Sequence, residues 1–207
     1  VGDVNADGID DIILGNFEYF DGEPINSIAH IIFGNKLSFA KIFDVSELNG
    51  NNGLSVVGTW EGTSVSGAGD INNDGINDII IGSSSAPNPK FNPVDAPGGV
   101  YTIMGSKKGF SPFFNISTLN GNNGFSFYGY DAGDGCGSSV SGIGDFNGDG
   151  LADMVFSAPW FVNPEGSAYI VYGSSTRFTT NVDDCNLGNE GLQIIGLGGN
   201  LGGATSK

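Results

Sequence analysis

Apolar residues recur along this chain in short runs, rich in Ile, Val, Phe and Tyr, that close on Gly. Examples are SVSGAGD (64–70), DIIIG (78–82), GVYTIMG (99–105) and GFSFYG (124–129). Short β-branched and aromatic runs bounded by turn residues predict strands. No stretch sustains a 3.6-residue apolar period, and Gly interrupts every few positions, so helix beyond a single turn is not expected. The same order of signals returns three times. VGDVNADGIDDIILG (1–15), GAGDINNDGINDIIIG (67–82) and GIGDFNGDGLADMVFS (142–157) match one another. So do HIIFG (30–34), VYTIMG (100–105) and AYIVYG (168–173). Each unit closes on a third signal: FDVSELNGNNGLSVVG (43–58), FNISTLNGNNGFSFYG (114–129) and NVDDCNLGNEGLQIIG (181–196). The period is about 69 residues, and repeated four-stranded units punctuated by Gly predict an all-β fold of β-propeller blades. The expected units are 1–62, which lacks its first strand, 63–136 and 137–201, with 202–207 opening a further blade. A chain that starts at Val1 and stops in mid-pattern reads as a processed product or a fragment. It is expected to be part of a larger ring, or to associate with copies of itself, because an open strand edge invites pairing.

Composition narrows the function. The 207 residues carry 23 acidic and 7 basic side chains, a formal charge of -16. So few scattered cations cannot track phosphates, which excludes nucleic acid and an anionic membrane surface as partners. No apolar run is long enough to span a bilayer, so membrane insertion is not expected in this segment. The two cysteines, Cys136 and Cys185, make neither a disulfide scaffold nor a zinc site. One bridge between them and two small buried thiols both fit.

The acidic residues are patterned. Asp-x-Asn-x-Asp-Gly-x-x-Asp occurs at Asp3, Asn5, Asp7, Gly8 and Asp11, again at Asp70, Asn72, Asp74, Gly75 and Asp78, and again at Asp145, Asn147, Asp149, Gly150 and Asp153. Oxygen ligands at positions 1, 3 and 5 of a tight loop converge on one hard cation, and Gly at position 6 permits the turn. The backbone carbonyl of position 7, here Ile9, Ile76 or Leu151, adds an oxygen, and the Asp at position 9 closes the set. Oxygen donors without His or Cys select Ca²⁺ over zinc, and several carboxylates favour Ca²⁺ over Mg²⁺. An EF-hand would need a bidentate Glu at position 12, where this chain has Leu14, Ile81 and Phe156. The loop therefore joins two strands, and three Ca²⁺ sites are expected. At about 1 mM Ca²⁺ and a Kd of about 10 μM, each ion would stabilise its blade by about 2.7 kcal/mol. That stabilisation fades in the low-calcium cytosol, so an extracellular location, secreted or at the cell surface, is expected.

These residues resemble the FG-GAP repeat of integrin α-subunit β-propellers, and more closely the bacterial-style integrin-α-like repeats. The family pattern runs Phe-Gly-x-Ser-Val, then the calcium loop, then Gly-Ala-Pro. Here Gly62–Val65 reads GTSV, Gly137–Val140 reads GSSV, and Ser157-Ala158-Pro159 stands for Gly-Ala-Pro. Glu61 and Cys136 replace the Phe of Phe-Gly, and the Ala-Pro drifts within 83–87. Cys185 is set where the other units have Leu48 and Leu119, which favours a buried thiol.

The resemblance implies a seven-bladed ring with calcium loops on the lower face and variable loops on an upper, ligand-binding face. On that face would lie Phe17, Tyr19, Phe20, Trp60, Phe91, Tyr130, Trp160 and Phe161. Exposed aromatics there suit an extracellular protein or glycan ligand. The chain reads as an adhesion or scaffolding module, able to self-associate or to be completed by further blades. A lectin-like module is the alternative. No enzyme is expected: the one histidine, His30, sits in the apolar run IAHIIFG, and no nucleophile or phosphate-cradling motif occurs. Asn115-Ile116-Ser117 is a glycosylation sequon.

Overall fold

Strands form where the β-branched and aromatic runs lie, and their alternation is set by what each face meets. The structure, a computed structural model, describes residues 1–15, 27–36, 41–58, 64–88, 96–160, 166–178, 181–182, 187 and 190–196. The first sheet holds β1 (Ile12–Gly15), β2 (Ser27–Ile32) and β3 (Gly53–Val57), antiparallel in that order. The second holds β4 (Ser64–Gly69), β5 (Asp78–Ser83), β6 (Gly99–Ile103) and, beyond β7 (Phe113–Asn115), β8 (Gly124–Tyr128). Its antiparallel order is β4-β5-β6-β8. The third is β9 (Val140–Gly144), β10 (Asp153–Ala158), β11 (Ser167–Val171) and, beyond β12 (Asn181–Val182), β13 (Gly191–Ile195). It runs β9-β10-β11-β13. The only helical residues among those described are two 3-10 turns, Val45–Glu47 and Ile116–Thr118.

Side chains of period two send alternate residues of one strand to opposite faces. In β5, Ile79 and Ile81 join a core cluster with Ile31, Leu54 and Val56 of the first sheet. Ile80 joins a different cluster with Met154, Phe156 and Tyr169 of the third. The middle sheet is thus buried on both faces, which is why β5 reads as an unbroken apolar run. Aromatic stacking ties it to the third sheet: Phe125 lies 4.2 Å from Phe178, centroid to centroid, and Phe127 lies 5.3 Å from Phe156. Three twisted sheets stacked face to face in this way are propeller blades.

Two features differ from the reading of the sequence. Four strands per unit were expected, yet a short fifth one lies between the third and fourth. β7 pairs parallel with β3, the outer strand of the preceding sheet (Ser55↔Phe113, Val56↔Phe114, Val57↔Asn115). β12 pairs in the same way with β8 (Asn181↔Ser126, Val182↔Phe127). The second and third blades therefore each lend a strand to the blade before. Second, Leu187, not Cys185, takes the position of Leu48 and Leu119. The Leu Cδ atoms of all three units sit 2.6 Å from where a Cβ would stand on the Gly that opens the outer strand, Gly53, Gly124 or Gly191. The third unit reaches that Gly one residue sooner, through LGNEG in place of LNGNNG, which shifts the register. Cys185 lies outside the described residues. Cys136 is buried in the core between the second and third sheets.

Candidate functional site

The three Asp-rich loops fold alike. The first aspartate accepts backbone N–H groups of its own loop: Asp3 from Asp7 and Gly8, Asp70 from Asp74 and Gly75, and Asp145 from Gly148, Asp149 and Gly150, at 2.7–3.0 Å. The Asn Oδ1 at position 3 accepts the same N–H of position 5, at 3.0, 3.0 and 2.9 Å. Carboxylate and amide oxygens are thereby drawn to one point. The position-5 carboxylate accepts from the position-7 N–H at 2.9 Å in every loop. Its other oxygen accepts from the Asn amide, Asn5, Asn72 or Asn147. Gly8, Gly75 and Gly150 have φ of 87°, 84° and 90°, the left-handed conformation that position 6 requires. Position 4 is left-handed too: Ala6 has φ 59° and Asn73 φ 61°, and only the third loop supplies a glycine there, Gly148.

The aspartate at position 9 has a different surrounding. Asp11, Asp78 and Asp153 are buried. One oxygen of each accepts the backbone N–H of position 2, from Val4, Ile71 or Phe146, at 2.7–3.0 Å. The other accepts from the Gly that ends the third strand, Gly34, Gly105 or Gly173, at 2.8 Å in each unit. These glycines are explained by crowding. A Cβ on any of them would stand 2.3–2.4 Å from the backbone oxygen of Asp10, Asn77 or Ala152. Burial pushes the Asp11 carboxyl above its usual range, against the pull of its two N–H donors, and the charges of Asp7 and Asp3 add to the rise. The same balance raises Asp78 to about 7.

The donor types suit a hard cation: in each loop the position-1 carboxylate and the position-3 amide oxygen meet at one N–H, beside the position-5 carboxylate, with no sulfur or imidazole in the loop. Among the described residues, no group of three or more His, Cys, Asp or Glu gathers closely enough to hold a metal. The third carboxylate of each loop is engaged by backbone N–H groups. Each of the first two loops is also bonded to the next blade. Asp3 and Val4 carbonyls accept Asn77 and Ser106 N–H at 3.2 and 2.9 Å. Asp70 and Ile71 carbonyls accept Ala152 and Ser174 N–H at 3.4 and 2.8 Å.

Of the proposed ligand-face aromatics, Tyr130 and Trp160 are described, and both are more than half exposed. Phe17, Tyr19, Phe20, Trp60, Phe91 and Phe161 lie outside the described residues. The structure gathers Tyr130 and Trp160 about one turn. The buried Asp134 carboxylate accepts from Tyr130 N–H (3.0 Å) and Asp131 N–H (2.8 Å), and its carbonyl accepts from Trp160 N–H (3.1 Å). Burial raises the Asp134 carboxyl above its usual range. The indole lies over Gly135, where a Cβ would stand 2.4 Å from the ring. Asp134 was not singled out from the sequence; the only signal was an Asp-Gly pair in a Gly-rich segment. His30 Nδ1 lies 3.0 Å from Ser55 Oγ on the paired strand, a cross-strand contact within the first sheet. Asn115 is exposed and caps a 3-10 turn by accepting Ser117 N–H at 2.9 Å. No helix is long and apolar enough to cross a membrane, among the described residues.

A family model described as FG-GAP repeat matches residues 62–103 and 137–171. The chain is similar to integrin alpha pat-2 of Caenorhabditis elegans, at 31% identity over 168 residues. It is similar to the protein of the same name from Caenorhabditis briggsae, at 33% over 167 residues. Each alignment covers 76% of this chain and 13% of the relative. Integrin alpha-6 of Gallus gallus is 33% identical over 110 residues, 53% of this chain and 9% of that one. The chain thus spans about an eighth of the length of the first two relatives.

Proposed function

We propose, from the premise that this chain belongs to the FG-GAP repeat family of integrin α-like proteins, that it is a calcium-stabilised, extracellular β-propeller module for adhesion or protein–protein interaction. One observation carries the proposal. The three loops fold alike, each bringing the position-1 carboxylate and the position-3 amide oxygen to the same N–H, and the backbone of the first two is bonded to the blade that follows. Ca²⁺ would be held by Asp3, Asn5, Asp7 and the Ile9 carbonyl, by Asp70, Asn72, Asp74 and the Ile76 carbonyl, and by Asp145, Asn147, Asp149 and the Leu151 carbonyl. When bound, the ion supplies positive charge that relieves the repulsion among crowded carboxylates. Asp11, Asp78 and Asp153 close each set, and they also latch the loop to the third strand of their own sheet. The role is structural: a rigid loop keeps the next blade seated. The reading assigns binding, not catalysis. The units 1–62, 63–136 and 137–201 are proposed as the blades, with 202–207 opening another.

Isothermal calorimetry of the calcium-free chain tests the reading. Three ions per chain are expected, and Asp70→Asn with Asp74→Asn should remove one. Absence of calcium binding at millimolar concentration would overturn it.

The turn around Asp134 supports a ligand surface on these blades. Two aromatic side chains stand exposed at a turn held by partly buried hydrogen bonds, so they reach a partner without first being ordered. A glycan-binding reading follows from the same turn, because an exposed indole fixed over Gly135 is a flat platform for a sugar face. Glycan-array binding that Trp160→Ala abolishes would establish the lectin-like reading. Capture of protein ligand without any sugar requirement would establish the adhesion reading.

A further inference from the structure

We infer that Asn115 is an N-glycosylation site, and that the first N-acetylglucosamine of its glycan seats against Phe113 at the edge of the first sheet. The inference rests on the reading of the chain as an extracellular module. Asn115-Ile116-Ser117 is the one Asn-x-Ser/Thr triplet in the 207 residues. The lent strand β7 places it at an edge: in the order β1-β2-β3-β7 it has no neighbour on its far side among the described residues. Asn115 and Phe113 are exposed, while Phe114 between them packs against the core shared by the first two sheets. Strand alternation thus turns residues 113 and 115 to one face, about 7 Å apart. The amide is held ready for modification. Its Oδ1 accepts the Ser117 N–H at 2.9 Å, whereas Nδ2 has no protein partner among the described residues. Capping does not explain the amide. Asp44 holds the equivalent position of the first unit and accepts Ser46 N–H at 2.9 Å, so a carboxylate caps equally well. Neither Asp44-Val45-Ser46 nor Asn181-Val182-Asp183 is an acceptor triplet.

Beside Asn115 lies an open cavity of about 470 Å³, in the size range of small-ligand sites. Its walls come from residues 104–123 alone, the connection from β6 through β7 to β8. Phe110 and Phe113 give it apolar surface, and Ser111, Asn115, Thr118 and Asn122 give it hydrogen-bonding groups. That mixture matches a pyranose, whose C–H faces are apolar and whose rim is hydroxyl and acetamido. A sugar on Nδ2 that folds back over the Phe113 ring removes apolar surface from water. It also covers the open edge of β7, which would otherwise invite another strand. The transfer is a substitution. Nδ2 attacks C1 of the reducing-end sugar of a lipid pyrophosphate-linked oligosaccharide. The N–C1 bond forms, the C1–O bond breaks, the lipid pyrophosphate leaves with the electron pair, and Nδ2 gives up one proton. No calcium-loop residue lines the cavity, nor does Tyr130 or Trp160, so the glycan and the surfaces described above do not compete.

Mass spectrometry of the chain secreted from eukaryotic cells behind a cleavable leader tests the site. Release of the glycan by a peptide N-glycosidase in heavy-oxygen water should leave the label on residue 115 and nowhere else. Asn115→Asp and Ser117→Ala should each abolish the glycan. Both keep the cap, so circular dichroism and calcium stoichiometry should match the wild type. Trimming to a single N-acetylglucosamine should leave the thermal midpoint above that of the fully deglycosylated chain. Phe113→Ala should erase that difference while the glycan stays attached. A secreted, calcium-binding chain left unmodified at Asn115 would overturn the site. A midpoint difference that persists in Phe113→Ala, or is absent from the wild type, would overturn the seat on Phe113. Loss of calcium binding in a chain that carries the glycan would count against the parent reading instead.

Discussion

Ala6 occupies a left-handed backbone position that its methyl group disfavours, while the third loop has Gly148 at the same place. The conformation costs an L-residue about 1–2 kcal/mol, partly offset in the unfolded chain when glycine replaces it. Ala6→Gly should therefore stabilise the chain by about 0.5 kcal/mol, read from urea denaturation at fixed calcium. Asp78 makes the opposite kind of demand. Both its oxygens accept N–H groups in a buried setting, and Asn would turn an NH₂ toward one of those donors. Asp78→Asn should cost about 2–4 kcal/mol in the same assay. The Asp78 carboxyl also links stability to pH. Folded, it holds its proton up to about pH 7, whereas unfolded it releases it near the ordinary carboxylate value of 3.8. The folded state binds the extra proton between these values, so in chelator the contribution of Asp78 is full below about pH 4, falls as pH rises toward about 7, and is level beyond. Thermal unfolding at pH 5 and pH 8 should show the fall, and calcium should reduce it by favouring the ionised carboxylate. Position 9 also shows where the sequence runs out. Residue type and spacing are the same for a cation ligand and for a backbone latch, and only the paths of Gly34, Gly105 and Gly173 reveal the latch.

At the scale of elements, the repeat and its strands were legible, because a sheet face that meets another sheet must be apolar at alternate positions. The lent strands were not. A three-residue segment such as Phe113–Asn115 has no periodicity to read, and its partner lies some 60 residues back in another unit. The one-residue shortening that moves Leu187 into the leucine position was missed for a related reason: similar Asn- and Gly-rich strings align equally well in two registers. The lent strand has a testable role. Phe114 packs against the core between the first two sheets, and Ser55 N–H is held by the Pro112 carbonyl at 2.9 Å. Phe114→Ala should cost about 2–3 kcal/mol. Hydrogen–deuterium exchange should speed first at the β3 amides and leave β10 and β11 near the wild-type rate.

At the scale of the molecule, each of the first two loops touches two blades, its own and the next. Chelation should therefore lower the cooperativity of unfolding along with the midpoint. The single transition expected in calcium should broaden in chelator, measured by calorimetry. The aromatic surface was only partly legible. Tyr130 and Trp160 were picked out one by one as exposed rings, but their meeting at Asp134 depends on a turn that spans two blades. The charge of the whole chain was plain from composition, though the bonding of the first two acidic loops to the following blade was not.

The stitching of Asp3 and Val4 to Asn77 and Ser106, repeated from Asp70 and Ile71 to Ala152 and Ser174, makes the three loops unequal hosts. The first two are braced from behind before any ion arrives. For the third, the described residues supply no such brace to the carbonyls of Asp145 and Phe146. A calcium titration should then resolve two classes of affinity from three nearly identical sequences, with the Asp145 loop the weaker. Seating another blade on that face would tighten the third site, and by reciprocity filling the third site would tighten the grip on that blade. The Asp145 loop would then act as a calcium-dependent coupling between its own blade and whatever seats on it.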